Sequence, residues 1–190
     1  QELNQTPYQL MAKRLILAVN PGSTSTKFAV FEEENLLFEK TLRHSFKELE
    51  PYKRITDQFH FRKDLIVKEL TMRGVDFSRI VAIVGRGGLV KPIESGIYEV
   101  NDRMKNDLEA GIMGEHASNL GALIADDIAS SLPGAKAYIV DPVVVDELQP
   151  VARLSGHPAI ARLSIFHALN QKAVARKYSS SIGKNYEDLN

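Results

Sequence analysis

The stretch that most constrains this chain lies near its start. An apolar run, Ile16-Leu17-Ala18-Val19, is joined to a second, Phe28-Ala29-Val30-Phe31, by Asn20-Pro21-Gly22-Ser23-Thr24-Ser25-Thr26-Lys27. Pro presets its own φ and Gly accepts positive φ, so Asn-Pro-Gly is turn chemistry. Two strand-like runs joined in this way read as a hairpin, with strands over 15–20 and 26–32. A third run over 36–42 extends it to a β-meander. The turn carries four hydroxyls and one cation, Lys27. Backbone N–H groups, hydroxyls and a lysine on one tight turn make a place for phosphate oxygens. Ser/Thr/Gly-rich turns are also common and most bind nothing, so composition alone leaves both readings open. The stretch is neither a Walker A loop nor a G-x-G-x-x-G dinucleotide fingerprint.

Downstream, the pattern changes. Residues 46–59 and 61–73 read as helices, the second with Leu65, Ile66 and Leu70 at helical spacing and Gly74 as its C-cap. A short apolar run over 80–84 has the mark of a buried strand and ends in Gly85-Arg86-Gly87-Gly88. A short strand follows at 98–100, then helices over 102–110 and 115–131. The latter has Leu120, Ile124 and Ile128 on one stripe and is broken by Pro133-Gly134. A second buried strand, 137–140, ends at Asp141-Pro142. An irregular stretch leads to a last helix over 164–178. Strands first, then helices alternating with strands, predict an α/β domain with a mixed sheet flanked by helices.

The 190 residues suffice for one sizeable domain, or for a domain plus the start of another. With 24 basic and 24 acidic side chains there is no electrostatic case for nucleic acid or an anionic membrane surface. The absence of Cys excludes disulfides and thiolate metal sites, and suits a reducing compartment. No apolar run reaches the length of a membrane span. Residues 1–10 lack the pattern of a signal peptide and read as an upstream extension to a domain beginning near Met11.

Three stretches sit where α/β folds place function, in loops past strand ends. They are the 20–27 turn, the Gly85–Gly88 stretch and Asp141. Glycines around Arg86 would let backbone and guanidinium approach an anion, or simply form a turn with a solvated arginine. An aspartate after a buried strand orients metals or substrates, and Asp before Pro is also an ordinary turn. His44, His60 and His157 lack a marked context and read as surface or structural. His116 and His167 each fall in the first turn of a predicted helix, where anions are favoured. No H-x-x-x-H or carboxylate cluster marks a preformed metal site.

Taken together, VNPGSTSTK (19–27), VGRGGLVKPI (84–93), GEHASNLGALIA (114–125), VDPVVVDEL (140–148), SGHP (155–158) and SIFHALNQKAVAR (164–176) resemble the butyrate kinase branch of the acetate kinase family. They fall in order and span nearly the whole chain. The family belongs to the actin, heat-shock ATPase and sugar-kinase superfamily. The resemblance therefore implies a ribonuclease H-like domain, one of two similar domains facing a cleft.

It also implies roles. Asn20, Ser23, Ser25 and Lys27 match the first phosphate-facing loop. Arg86, Asp141 and His167 match catalytic positions, with Asn20 and Asp141 linked indirectly to the metal. Phe166 matches a wall of the acyl pocket, and His116 a histidine near it. Acetate kinases carry Arg-x-x-His-Gly-Gly over the stretch that corresponds to 83–88. Here Ile83 stands at the arginine position and Arg86 at the histidine position, so Arg86 would supply the guanidinium from a shifted place. The implied reaction is phosphoryl transfer from ATP, with Mg²⁺, to butanoate in the cytoplasm by a homo-oligomeric parent. The alternatives are another short or branched carboxylate as acceptor, or a non-catalytic half-domain. Residues 11–190 would be the N-terminal, acyl-substrate domain and the start of the crossover. A second, nucleotide-binding half of comparable size would follow.

Overall fold

The computed structural model describes residues 13–189; the extension assigned to 1–10 lies outside them. The predicted meander is present as β1 (Leu15–Pro21), β2 (Ser25–Glu32) and β3 (Asn35–Arg43). β1 and β2 pair antiparallel with Asn20 opposite Lys27 and Pro21 opposite Thr26, so both strands run further into the turn than the sequence suggested. The turn itself is only Gly22, Ser23 and Thr24.

Helix α1 (Phe46–Leu49) is a single turn rather than the predicted 46–59 helix. Ser45 and Glu48 form a capping box at its start, and Pro51 stops it, because proline has no N–H to give to the Lys47 carbonyl. The chain restarts as α2 (Phe59–Met72), which presents Arg62, Ile66 and Leu70 to the interior. β4 (Ile80–Arg86), β5 (Ile97–Glu99), α3 (Asp102–Ala110), α4 (Leu120–Ser130), β6 (Lys136–Val140) and α5 (Ala168–Ser181) complete the domain.

The six strands run in the order β3-β2-β1-β4-β6-β5. β4 joins β1 in parallel, β6 joins β4 in parallel, and β5 closes the edge antiparallel. This is the mixed sheet that the strand pattern predicted. Alternation in β1 sends Leu15, Leu17 and Val19 into the main core, where they meet Ile66 and Leu70 of α2 and Leu120, Ile124 and Ile128 of α4. Ile16, Ala18 and Asn20 face the other side.

The last third is more open. Leu154, Ile160, Leu163 and Ile165, and then Val174 and Tyr178 of α5, are each more than half exposed. Among the described residues no helix is long and apolar enough to cross a membrane.

Candidate active site

β1, β4 and β6 are adjacent and parallel, so their carboxyl ends open on one edge of the sheet. Asn20 stands near the end of β1, Arg86 ends β4, and Asp141 immediately follows β6. A crevice at that edge is where open α/β sheets place ligands. Here a cleft of about 400 Å³ is lined by Asn20, Arg86, Asp141 and, from α5, Leu169, Asn170 and Ala173.

Asp141 is the hub of the cleft. Its Oδ2 accepts from Arg86 Nη2 at 3.2 Å and lies 3.0 Å from His167 Nδ1, while Oδ1 accepts from the Asn170 N–H at 3.3 Å. His167 Nδ1 is also 3.2 Å from the Asp141 carbonyl oxygen. Both neighbours are acceptors, so Nδ1 carries the proton and Nε2 is the free ring nitrogen. Asp141 holds φ at +50° and is 8% exposed. A left-handed, β-substituted residue costs about 1–3 kcal/mol unless its surroundings enforce it. Three partners on two other elements do so here.

His167 is not in a helix's first turn, as predicted, but at the N-cap position of α5. Residues 164–167 instead run as a strap along residues 143–145: Phe166 N–H donates to the Val143 carbonyl at 2.8 Å and the Ser164 hydroxyl to that of Val145. Those bonds replace the helical ones. His116 is likewise extended, capping a 3₁₀ turn through Nδ1, which accepts from the Ser118 N–H at 3.2 Å. Neither His116 nor Phe166 lines the Asp141 cleft. Phe166 faces a second cavity of about 380 Å³, with Leu148, Ala175 and Tyr186.

The glycines beside Arg86 serve packing. A Cβ on Gly85 would stand 2.2 Å from the Gly121 carbonyl oxygen, and one on Gly88 would stand 2.6 Å from Asn119 Cα. A Cβ on Gly87 would meet Pro142 at 2.7 Å. The start of α4 and the Asp141-Pro142 corner thus press directly onto the end of β4. Both sequence readings of Gly85–Gly88 miss this, and Arg86 is paired rather than solvated. Ile83, at the position where the family carries arginine, is wholly buried in the core.

The 20–27 hairpin is braced from below. Arg62, wholly buried, donates from Nη1 to the carbonyls of Gly22 (2.7 Å) and Ser25 (2.9 Å) and from Nη2 to that of Ser23 (3.0 Å). Gln58 Oε1 accepts from Nε and Nη2 and orients the fork. Nη1 also donates to Thr26 Oγ1 at 3.0 Å. Thr26 in turn meets His44 Nε2 at 2.9 Å. The buried His44 Nδ1 has no partner among the described residues. Burial, then the Arg62 charge, hold the His44 imidazole below its ordinary value of 6.5. Lys27, half exposed, is tied to Glu39 at 2.9 Å.

Sequence reasoning missed Arg62, Gln58 and Asn170. For Arg62 there was a signal: positions 62, 66 and 70 form one helical stripe, and an arginine on an otherwise buried stripe needs a partner. A wider cleft, about 800 Å³ between α2, α3 and α4, lies away from these groups and is lined by Arg54 and by the pair Lys105–Asp126.

No protein-family model matches the chain. Comparison with solved structures gives the class: the fold is similar to that of the acetate and propionate kinases. Porphyromonas gingivalis acetate kinase superposes with a TM-score of 0.60 at 16% identity, over 91% of this chain and 50% of that one. A propionate kinase from Francisella tularensis subsp. tularensis gives 0.57 at 17%, over 90% and 50%. Sequence is more specific. The chain is 59% identical over 175 residues to butyrate kinase 2 of Clostridium acetobutylicum and 57% identical to butyrate kinase 1 of that organism, covering 92% of this chain and 49% of each relative. It is a homologue of the butyrate kinases over that segment, and spans about half the length of the curated relatives it matches.

Proposed function

We propose that this chain forms the acyl-substrate half of a butyrate kinase, which transfers the γ-phosphoryl group of ATP to butanoate, giving butanoyl phosphate and ADP. The observation that carries the reading is the convergence of Asn20, Arg86 and Asp141 at three adjacent strand ends, in a sequence 59% identical to a butyrate kinase. The second half would supply the nucleotide site, and the exposed apolar side chains of α5 and the segment before it fit a surface that such a half covers.

A carboxylic acid with a pKa of about 4–5 is already ionised at neutral pH, so the acceptor needs no general base. The chemical problem is to align an anionic nucleophile with a polyanion. Arg86 meets negative charge on the transferring group, and Asp141 holds Arg86 and His167 in place. Nδ1 of His167 is committed to Asp141, so Nε2 is the ring nitrogen left for a phosphoryl oxygen, and it donates there when the ring is doubly protonated. The hydroxyls and amides of the 22–25 turn hold phosphate oxygens. Asn20 and Asp141 offer hard oxygen donors suited to Mg²⁺, which takes one or two such ligands beside phosphate oxygens and neutralises their charge. An acyl chain held in the Asp141 cleft meets Leu169 and Ala173 as its apolar wall, whereas Phe166, which the resemblance assigns to that wall, faces the other cavity. One methylene is worth only about 1–3 kcal/mol there, so propanoate and branched acids compete.

The test is butanoyl phosphate formation from ATP, Mg²⁺ and butanoate, trapped as the hydroxamate, by the gene product containing this chain. A His167→Ala change lowers kcat by about 10²–10³ with KM for butanoate little altered. Unchanged kcat removes His167 from the reaction, and a faster rate with another short carboxylate moves the substrate assignment.

A further inference from the structure

Arg62 braces the hairpin from below, and its setting is unusual. It is a wholly buried guanidinium, and among the described residues no carboxylate pairs with it. Burial lowers its pKa to about 10, so the charge persists at neutral pH. Its partners are neutral oxygens: three carbonyls of the hairpin turn, the Thr26 hydroxyl and the Gln58 amide. The fourth carbonyl of the turn, that of Thr24, accepts from the His44 N–H at 2.9 Å. All four turn carbonyls are therefore taken up by the protein.

Peptide planarity gives this a consequence. In a trans peptide the C=O and the following N–H point in opposite directions, and the described chain contains no cis bond. Arg62 draws the carbonyls of Gly22 and Ser23 inward, so the N–H groups of Ser23 and Thr24 point outward. Neither has an acceptor among the described residues. Two parallel free amides over a buried positive charge that lacks a counter-ion make an anion receptor.

We propose that Arg62 is a positioning residue that turns the Ser23 and Thr24 amides outward and supplies, through the turn, the charge that a phosphoryl group of the substrate neutralises. This rests on the phosphate-facing role of the turn given above and extends it to a residue that the ligand never touches.

The experiment uses the ¹⁵N-labelled gene product containing this chain, with inorganic phosphate as the probe. Ser23 and Thr24 amide resonances shift saturably with phosphate. Gln58→Glu keeps the shape of the brace but gives Arg62 a carboxylate, and weakens phosphate binding about tenfold at the same ionic strength. The protected Gly22 and His44 amides exchange at the parental rate in this variant. Arg62→Lys, which cannot reach three carbonyls at once, weakens binding and speeds exchange at Gly22 and His44. A folded Gln58→Glu chain that binds phosphate as tightly as the parent overturns the charge role. Parental exchange rates in Arg62→Lys overturn the positioning role. If the parent chain shows no phosphate shift at Ser23 and Thr24, the phosphate reading of the turn fails. Faster exchange in Arg62→Lys then still supports Arg62 as the residue that orders the turn.

Discussion

Two arginines serve the strand ends, and they are held in opposite ways. Arg86 is part-exposed and paired with a carboxylate, Asp141, whose own position depends on His167 and the Asn170 amide. Arg62 is wholly buried, has no acid partner and is satisfied by carbonyl, amide and hydroxyl oxygens. The difference separates two uses of one side chain. An arginine facing an acid across an open cleft can exchange that partner for a substrate oxygen at little cost to the fold. An arginine bonded to backbone carbonyls beneath a turn is part of the fold, and any influence on a ligand passes through the turn it shapes.

Substitution breaks the comparison most sharply at Arg62. Arg62→Met leaves three turn carbonyls and the Gln58 amide without their donor, and each unmade buried bond costs about 1–3 kcal/mol. Urea unfolding should show a loss of at least about 3 kcal/mol; a loss below about 1 kcal/mol means that water replaces the guanidinium freely. Arg86→Met should do the reverse. Its side chain is 28% exposed, so stability falls by only about 1 kcal/mol. Acyl phosphate formation falls about 10²–10³-fold, the scale seen when one donor to a developing negative charge is removed. Equal losses of stability from the two variants would erase the distinction.

The smallest effect is set by pH. His44 shares Thr26 with Arg62, and its protonation is opposed first by burial and then by that charge. The folded state therefore binds this proton less readily than the unfolded chain, which takes it up near the ordinary value of 6.5. Stability should be level above about pH 7 and fall as pH drops below about 6.5. Thermal midpoints at about pH 7.5 and 5.5 read this out. Replacing His44 by Gln flattens the difference if His44 is its source. Glu32, Glu48, Asp76 and Asp146, which hydrogen bonds hold below the usual carboxylate range, lose their contributions only at lower pH.

Much of the fold was legible because its signals are local. The meander, the helix over Asp102–Ala110 and the buried strands at 80–84 and 137–140 are legible from apolar spacing and turn residues; the structure keeps the bounds of the helix and extends the strands by one or two residues. A helix over 46–59 would have to run through Pro51, a stop visible in the sequence, and the structure ends it at Leu49. The last helix was begun too early because the bonds that keep Ser164 and Phe166 extended go to Val145 and Val143, some twenty residues back. In the site, Asp141, Arg86 and the Ser/Thr turn stood out as chemistry past strand ends. Gln58 and Asn170 carried no signal, since an amide on a helix is ordinary until its neighbours are known.

By itself, then, the sequence determined which segments become strands and helices, and which of the loops between them are rich in hydroxyls, glycines and acids. Periodicity, proline and glycine act within a few residues and need no tertiary context. Tertiary structure alone decided that β1, β4 and β6 lie side by side, so that Asn20, Arg86 and Asp141 share one cleft. It also decided that Gly85 and Gly121 touch, and that Arg62 reaches a turn some forty residues earlier. Those pairings depend on how sheet and helices pack, and a guanidinium buried without an acid is stable only where folding has gathered enough carbonyls around it.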